Sequence, residues 1–310
     1  MKKVLLILMC CMTIQSVHAQ DTPKWADKAK KAVFSIVTYD KENKIKNTGN
    51  GFYIDNNGTA LSDYSLFEDA ERAVIINADG KELPVTRIAG ANSMYDVIKF
   101  RTETEKKITA LKVATQPAAV GETVYLLPYS TQKAATCQTG KVTQVDTIAD
   151  KAYYYTLTMT TSDKTVSCPI MNANGEVLGL IQKSASEEDK ESYAIGASYG
   201  ESLSISPLSA NDINLNKIGI AKALPETEDQ ALVYLYMSSS QMDAKNYLAT
   251  LNDFLQAYPN STEGYTRRAG YYMNIGDDEH NALAEADLKK AMDVSGNKTE
   301  GQYNVAKIIY

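Results

Sequence analysis

Histidine is nearly missing from this chain: there are two in 310 residues, His18 and His280. Imidazole is the side chain whose ordinary pKa suits proton transfer near neutral pH. Its scarcity excludes histidine-dependent chemistry from most of the molecule. His280 has no second His or Cys beside it, so it reads as a surface residue rather than a metal ligand. Cysteine is scarce too, with four in all, and Cys10 and Cys11 fall in the leader described below. Phosphate-loop and dinucleotide fingerprints are absent, so no cofactor and no metal is expected. No segment after the leader is long and apolar enough for a transmembrane helix.

Residues 1–19 read as an export signal. Lys2 and Lys3 give a positive start, Val4 to Met12 a short apolar run, and Val17-His18-Ala19 the small residues that favour cleavage after Ala19. Bulky Met9 before Cys10 argues against a lipoprotein signal. The expected mature chain is exported, and is periplasmic or secreted if the cell is bacterial. Removing Lys2 and Lys3 takes the net charge from −6 to −8, since the leader holds no acid. That balance argues against nucleic acid and anionic membranes as partners. The two remaining cysteines, Cys137 and Cys168, either form a disulfide in an oxidising compartment or pack as small hydrophobes.

What is present falls into stretches of different texture. Residues 32–205 are strand-like, with short runs such as Val33-Phe34-Ser35-Ile36-Val37 and Ala73-Val74-Ile75-Ile76. They are broken by turn signals at Asn56-Asn57-Gly58, Asp79-Gly80 and Asn174-Gly175. Many short strands at even spacing predict a sandwich or barrel. Trp25 to Lys31 predicts a short lead-in helix. Residues 206–227, with Pro207 and Pro225, lack periodicity and read as a connector. From Glu228 the period turns helical. Tyr247, Leu248, Leu251, Phe254, Leu255 and Tyr258 mark one helix face, stopped by Pro259. Asn260 with Glu263 is expected to cap the next helix, Ser261 to Ile275, and Glu279 to Met292 follows. Ala257-Tyr258 and Ala291-Met292 close equivalent helices 34 residues apart. A helix-turn-helix unit of that length resembles a tetratricopeptide repeat, and a generic helical hairpin is the plainer reading. The chain stops at Tyr310, inside what reads as the first helix of a third unit. That leaves Tyr303, Ala306, Ile308 and Ile309 to pack back, cap the array or meet a partner.

An ordered series of motifs then carries a resemblance. The series comprises Gly49-Asn50-Gly51-Phe52-Tyr53-Ile54, Ala60-Leu61-Ser62-Asp63-Tyr64-Ser65, Tyr95-Asp96-Val97-Ile98, Val120-Gly121-Glu122-Thr123-Val124, Thr139-Gly140-Lys141-Val142 and Asp163-Lys164-Thr165-Val166-Ser167-Cys168-Pro169. Together they resemble the trypsin-type serine proteases of the Deg/HtrA kind. The resemblance implies a double β-barrel over residues 20–210, and the change of period then gives a linker over 211–227 and helical, tetratricopeptide-like repeats over 228–310. Ser65 stands in the family's histidine place and Asp96 in its aspartate place, 31 residues on. Aligned on Pro169, Val166 stands in the serine place, 70 residues beyond Asp96, and Lys164 replaces a glycine of the oxyanion hole.

A hydroxyl needs a base to become a nucleophile, and Ser65 is not a base near neutral pH; Val166 has no nucleophilic atom. The expected reading is a non-catalytic, protease-like scaffold or regulator that binds a protein or peptide. The extended peptide would enter by strand addition near Tyr193-Ala194-Ile195-Gly196-Ala197. Asp96 is expected to hold backbone N–H groups or the Ser65 hydroxyl. An alternative is an active endopeptidase using Ser167 or Cys168 with Lys164 as base. A third is a structural envelope protein whose barrels only space the repeats.

Overall fold

The computed structural model describes residues 22–104, 108–149, 152–182 and 190–296, with isolated positions beyond 296. The export signal with its cleavage point after Ala19, and most of the proposed third repeat, lie outside the described residues.

Trp25 to Lys31 forms the expected lead-in: α1, Ala26–Ala29, continues into a 3-10 turn at Lys30–Ala32. Six strands follow, β1 Val33–Tyr39, β2 Ile45–Tyr53, β3 Thr59–Ser62, β4 Arg72–Ile76, β5 Glu82–Asn92 and β6 Val97–Thr102. They close into a barrel in the order β1-β2-β3-β6-β5-β4. Six more make a second barrel: β7 Thr123–Leu126, β8 Gln138–Ala149, β9 Ala152–Leu157, β10 Pro169–Met171, β11 Val177–Ile181 and β12 Ser192–Gly196. Its order is β10-β11-β12-β9-β8-β7. Every pairing in both barrels is antiparallel, as chain-adjacent strands joined by tight turns favour.

One turn chemistry recurs. Asp55, Asn77 and Asn172 each accept backbone N–H groups two and four residues on, and a glycine at positive φ follows three residues later at Gly58, Gly80 and Gly175. The side chain replaces a backbone partner while glycine supplies the left-handed residue, so each hairpin is fixed locally.

The first barrel is filled by aromatics. Phe34, Phe52, Phe67 and Phe100 are fully buried, with Phe67 and Phe100 ring centroids 5.1 Å apart. The second barrel's core is mainly aliphatic, around Val124, Leu126, Leu157, Ile170 and Ile181, with Tyr155 among them. Burying such side chains contributes about 1.5–3 kcal/mol each. The lead-in precedes the first barrel yet ties down the second: Trp25 Nε1 donates to the Ala173 carbonyl at 3.0 Å, and the Asp27 carboxylate accepts from the Ala135 N–H at 2.8 Å.

α2, Ala197–Ser202, leaves β12 directly and packs across to the first barrel, where Gly200 meets Leu61 and Val97. The connector expected over 206–227 is structured. A 3-10 turn at Pro207–Asn211 and α3, Ile213–Asn216, bury Leu215, Ile218 and Ile220 in the barrel core. Ala221 to Ala223 then bond on either side of Ile88 as a short parallel bridge on β5. Periodicity missed this because single apolar residues, not a face, do the packing.

Four longer helices follow: α4 Glu228–Ser238, α5 Ala244–Ala257, α6 Thr262–Ile275 and α7 Asp278–Val294. Side chains of Thr227, Asp243, Ser261 and Asp277 cap their N-termini. The cap of α6 is Ser261 rather than the expected Asn260, since the Ser261 hydroxyl reaches the Gly264 N–H. Arg268 binds the helices together, donating to both oxygens of Asp287 on α7 at 2.8 and 2.7 Å and to Asn252 on α5 at 2.8 Å. Asp287→Ala is expected to lower stability by about 2–3 kcal/mol, because a guanidinium among packed helices loses its charged acceptor; a denaturant titration reads this. Arg87 on β5 makes the corresponding ion pair with Asp253 on α5, joining barrel to helices.

Candidate functional site between the barrels

The positions matched by the motif series are drawn to the seam between the barrels. Ser65 sits in a 3-10 turn after β3, and Asp96 in the turn between β5 and β6. The Ser65 hydroxyl donates to Asp96 Oδ2 at 3.0 Å, and the Ser65 N–H to Oδ1 at 2.7 Å. The pair expected from a spacing of 31 residues therefore exists, and Asp96 does what was expected of it, holding a backbone N–H and the hydroxyl. Ser65 is exposed and Asp96 half-buried.

The segment that stands in the nucleophile place is a tight turn before β10. Pro169 pairs with Leu180 and Ile170 with Gly179, so the turn leads straight into the β10–β11 ladder. Val166 is half-buried and Lys164 exposed. The N–H groups of Thr165 and Val166 both donate to the Ser162 carbonyl, at 2.8 and 3.2 Å. An N–H at the nucleophile position is what an acyl-transfer site aims at a developing oxyanion. Here that donor is already engaged within the turn.

Ser167 and Cys168, the alternative nucleophiles, are fully buried. The Ser167 N–H donates to the Ile181 carbonyl at 2.9 Å and the Cys168 N–H to Thr165 at 3.1 Å, so both belong to the barrel wall. Burial pushes the Cys168 thiol up to about 12, the opposite of what a nucleophilic cysteine requires. Burial, then the neighbouring Asp27, pushes the Cys137 thiol up to about 11. Cys137 and Cys168 are not bridged to one another in this structure. Sequence supplied neither the distance nor the direction that decides such a bridge.

Two residues of the seam had no assigned role. Asn50, on β2 of the first barrel, is 5% exposed, and its Nδ2 donates to the carbonyls of Lys164 at 3.1 Å and Val166 at 2.9 Å. Its own carbonyl accepts the Ser62 hydroxyl at 2.6 Å. A buried amide thus crosses the seam to hold the turn, and the only sequence signal was its place between two glycines. The second is Asp63, two residues before Ser65 and 2% exposed. Burial, then the charge on Asp96, holds its carboxyl well above the usual range.

Strand addition at Tyr193 to Ala197 is not available. β12 pairs with β11 on one side and β9 on the other, and Ala197 already begins α2. Closure of the barrel uses both edges, which a linear reading of the strand does not reveal. A cleft of about 280 Å³ lies between Thr48 to Asn50 of β2 and Tyr129, Asp163 and Lys164 of the second barrel. A larger concavity of about 630 Å³ lies among the helices, lined by Tyr247, Tyr271, Arg267 and Met242. His280 is remote from the seam, its ring nitrogen Nδ1 against Asp277 Oδ1 at 2.7 Å. Among the described residues, no three His, Cys, Asp or Glu side chains converge as a metal site needs, and no helix is long and apolar enough to cross a membrane.

Against known families, residues 49–180 match the family described as Trypsin-like peptidase domain. The matched stretch runs from β2 into β11 and contains Ser65, Asp96 and Val166. With the two closed six-stranded barrels, it identifies the fold as trypsin-like, followed by a helical segment. No curated protein matches the chain.

Proposed function

We propose that this trypsin-like barrel pair works without peptide-bond chemistry, as the binding module of an exported protein that takes a protein or peptide partner. The observation that carries the reading is the turn at 162–168. Valine stands where the attacking hydroxyl would be, and its N–H is given to Ser162 rather than to a substrate. Ser65 supports it from the other barrel, since a hydroxyl held by a carboxylate is no base. No histidine lies anywhere in the matched stretch.

What remains is shape and polarity suited to recognition. The cleft offers Tyr129, Lys164 and Asp163 on one wall against the β2 backbone on the other. The helices offer a second, larger surface with aromatic walls and Arg267. The acidic balance of the chain favours a protein partner over nucleic acid. The export signal read at residues 1–19 supports a partner outside the cytoplasm.

Purified mature chain is expected to leave casein intact over hours and to take no label from a fluorophosphonate probe. Labelling lost on heat denaturation, or cleavage abolished by Ser167→Ala or Cys168→Ala, would overturn the reading in favour of an atypical endopeptidase. A pull-down with the whole chain then separates a binding cleft from a spacer: a partner held equally by a chain whose cleft is blocked at its exposed rim by Thr48→Trp leaves the barrels as spacers.

A further inference from the structure

The turn that stands in the nucleophile place is underlain by a group that the proposed function does not use. The Asp63 carboxyl, from the first barrel, lies against the Ser167 hydroxyl of the second. Contact is close enough for the hydroxyl to favour the carboxyl's charge slightly, yet neither Asp63 Oδ1 nor Ser167 Oγ has a partner in hydrogen-bonding geometry. Ser167 also holds φ at +64°, a left-handed conformation that costs a non-glycine residue of order 1–3 kcal/mol. Two orphaned polar atoms and a strained backbone thus meet at one buried point of the seam.

The titratable groups that face Asp63 are Asp96, from the turn between β5 and β6, and the Cys168 thiol, from the segment before β10. Asp96 is negative and the thiol neutral, so neither offers compensation, and no cation acts on Asp63 among the described residues. An ionised carboxylate buried without a cation or a full set of donors is among the costliest groups a protein can hold.

We propose that Asp63 is a proton-operated latch on the turn at 162–168: as the neutral acid it lets the turn seat on the first barrel, and on losing its proton to solvent it unseats it. The turn is the element that yields: the Asn50 amide ties it to the first barrel by two side-chain donors, which can let go while the strands of both barrels stay paired. Release relieves the strain at Ser167 and lets water reach the carboxylate. Since Asp63 carries a raised pKa when seated, the seated form is favoured most below the ordinary carboxylate range. It loses ground as pH rises through the window up to the raised value, and no further beyond it. The device moves the Lys164 wall of the cleft whatever the cleft takes, so it does not rest on the binding reading.

Hydrogen exchange of the mature chain, read at the amides of Ser167 and Cys168 and corrected for intrinsic pH dependence, tests it. Protection at these amides is expected to fall about tenfold per pH unit inside the window, while amides of the β11–β12 ladder stay unchanged. Asp63→Asn is expected to flatten the profile. Asp96→Asn, which removes the repelling charge, is expected to move the fall to lower pH. A flat wild-type profile, or a fall that survives Asp63→Asn, overturns the latch. If Asp63→Asn does not fold, an unmoved midpoint in Asp96→Asn overturns it instead.

Discussion

Ser65→His and Val166→Ser, introduced together in the mature chain, are expected to leave casein uncleaved. The double change returns the two atoms that the sequence lacks. A histidine at 65 would stand beside Asp96, whose carboxylate already holds the Ser65 side chain at 3.0 Å. A hydroxyl at 166 would stand where the alignment on Pro169 sets the nucleophile. The backbone is what remains wrong. The N–H of residue 166 is donated to the Ser162 carbonyl at 3.2 Å, and that of Thr165 to the same atom at 2.8 Å. Loss of one oxyanion donor costs about 10²–10³ in rate, and Lys164 stands where the resemblance sets a glycine of the oxyanion hole. The double variant should therefore run at least about 10²-fold below what its base and nucleophile would otherwise support. A fluorogenic casein assay with fluorophosphonate labelling reads both steps. Brisk hydrolysis would mean that the turn reopens by itself, and that side chains alone had been lost.

How far the sequence reached follows from what each signal depended on. The barrels were legible because their hairpins are closed locally, by an Asx side chain and a glycine three residues later at Gly58, Gly80 and Gly175. Ser65 with Asp96 was legible because turns on adjacent hairpins hold both. Asp63 lay in the same motif, but nothing in one dimension says that an acid will be sealed beneath a serine 104 positions later, with no cation supplied. The connector failed for a related reason: Leu215, Ile218 and Ile220 are buried singly, and Ala221 to Ala223 find their partner at Ile88, far back in the chain. Strand addition at β12 failed because an open edge is a property of the closed sheet, not of the strand. The cap of α6 was legible to within one residue, as cap position usually is.

Gly179→Ala is expected to stop the chain from folding, although it adds one methyl group. Gly179 lies in β11 between Ile170 of β10 and Gly196 of β12. A Cβ there would lie 2.4 Å from the Ile195 carbonyl oxygen, far inside any real contact. The obstacle is backbone in the middle of a ladder, so no rotamer change relieves it; β11 and β12 must part or the strand must slip. A slip turns every side chain of Val177–Ile181 to the opposite face, and all five are buried. Either outcome places the cost above about 4 kcal/mol, the range reserved for broken cores, against a total stability of about 5–15 kcal/mol for a typical domain. Gly270→Ala supplies the contrast. Nothing lies within 4 Å of the added atom, inside α6, and the change is expected to stabilise by about 0.5–1 kcal/mol through helix propensity. Circular dichroism and denaturant titration distinguish the two at once. If Gly179→Ala folded within about 1 kcal/mol of wild type, far below the cost of a broken core, the close approach of β12 to β11 at Gly179 would be wrong.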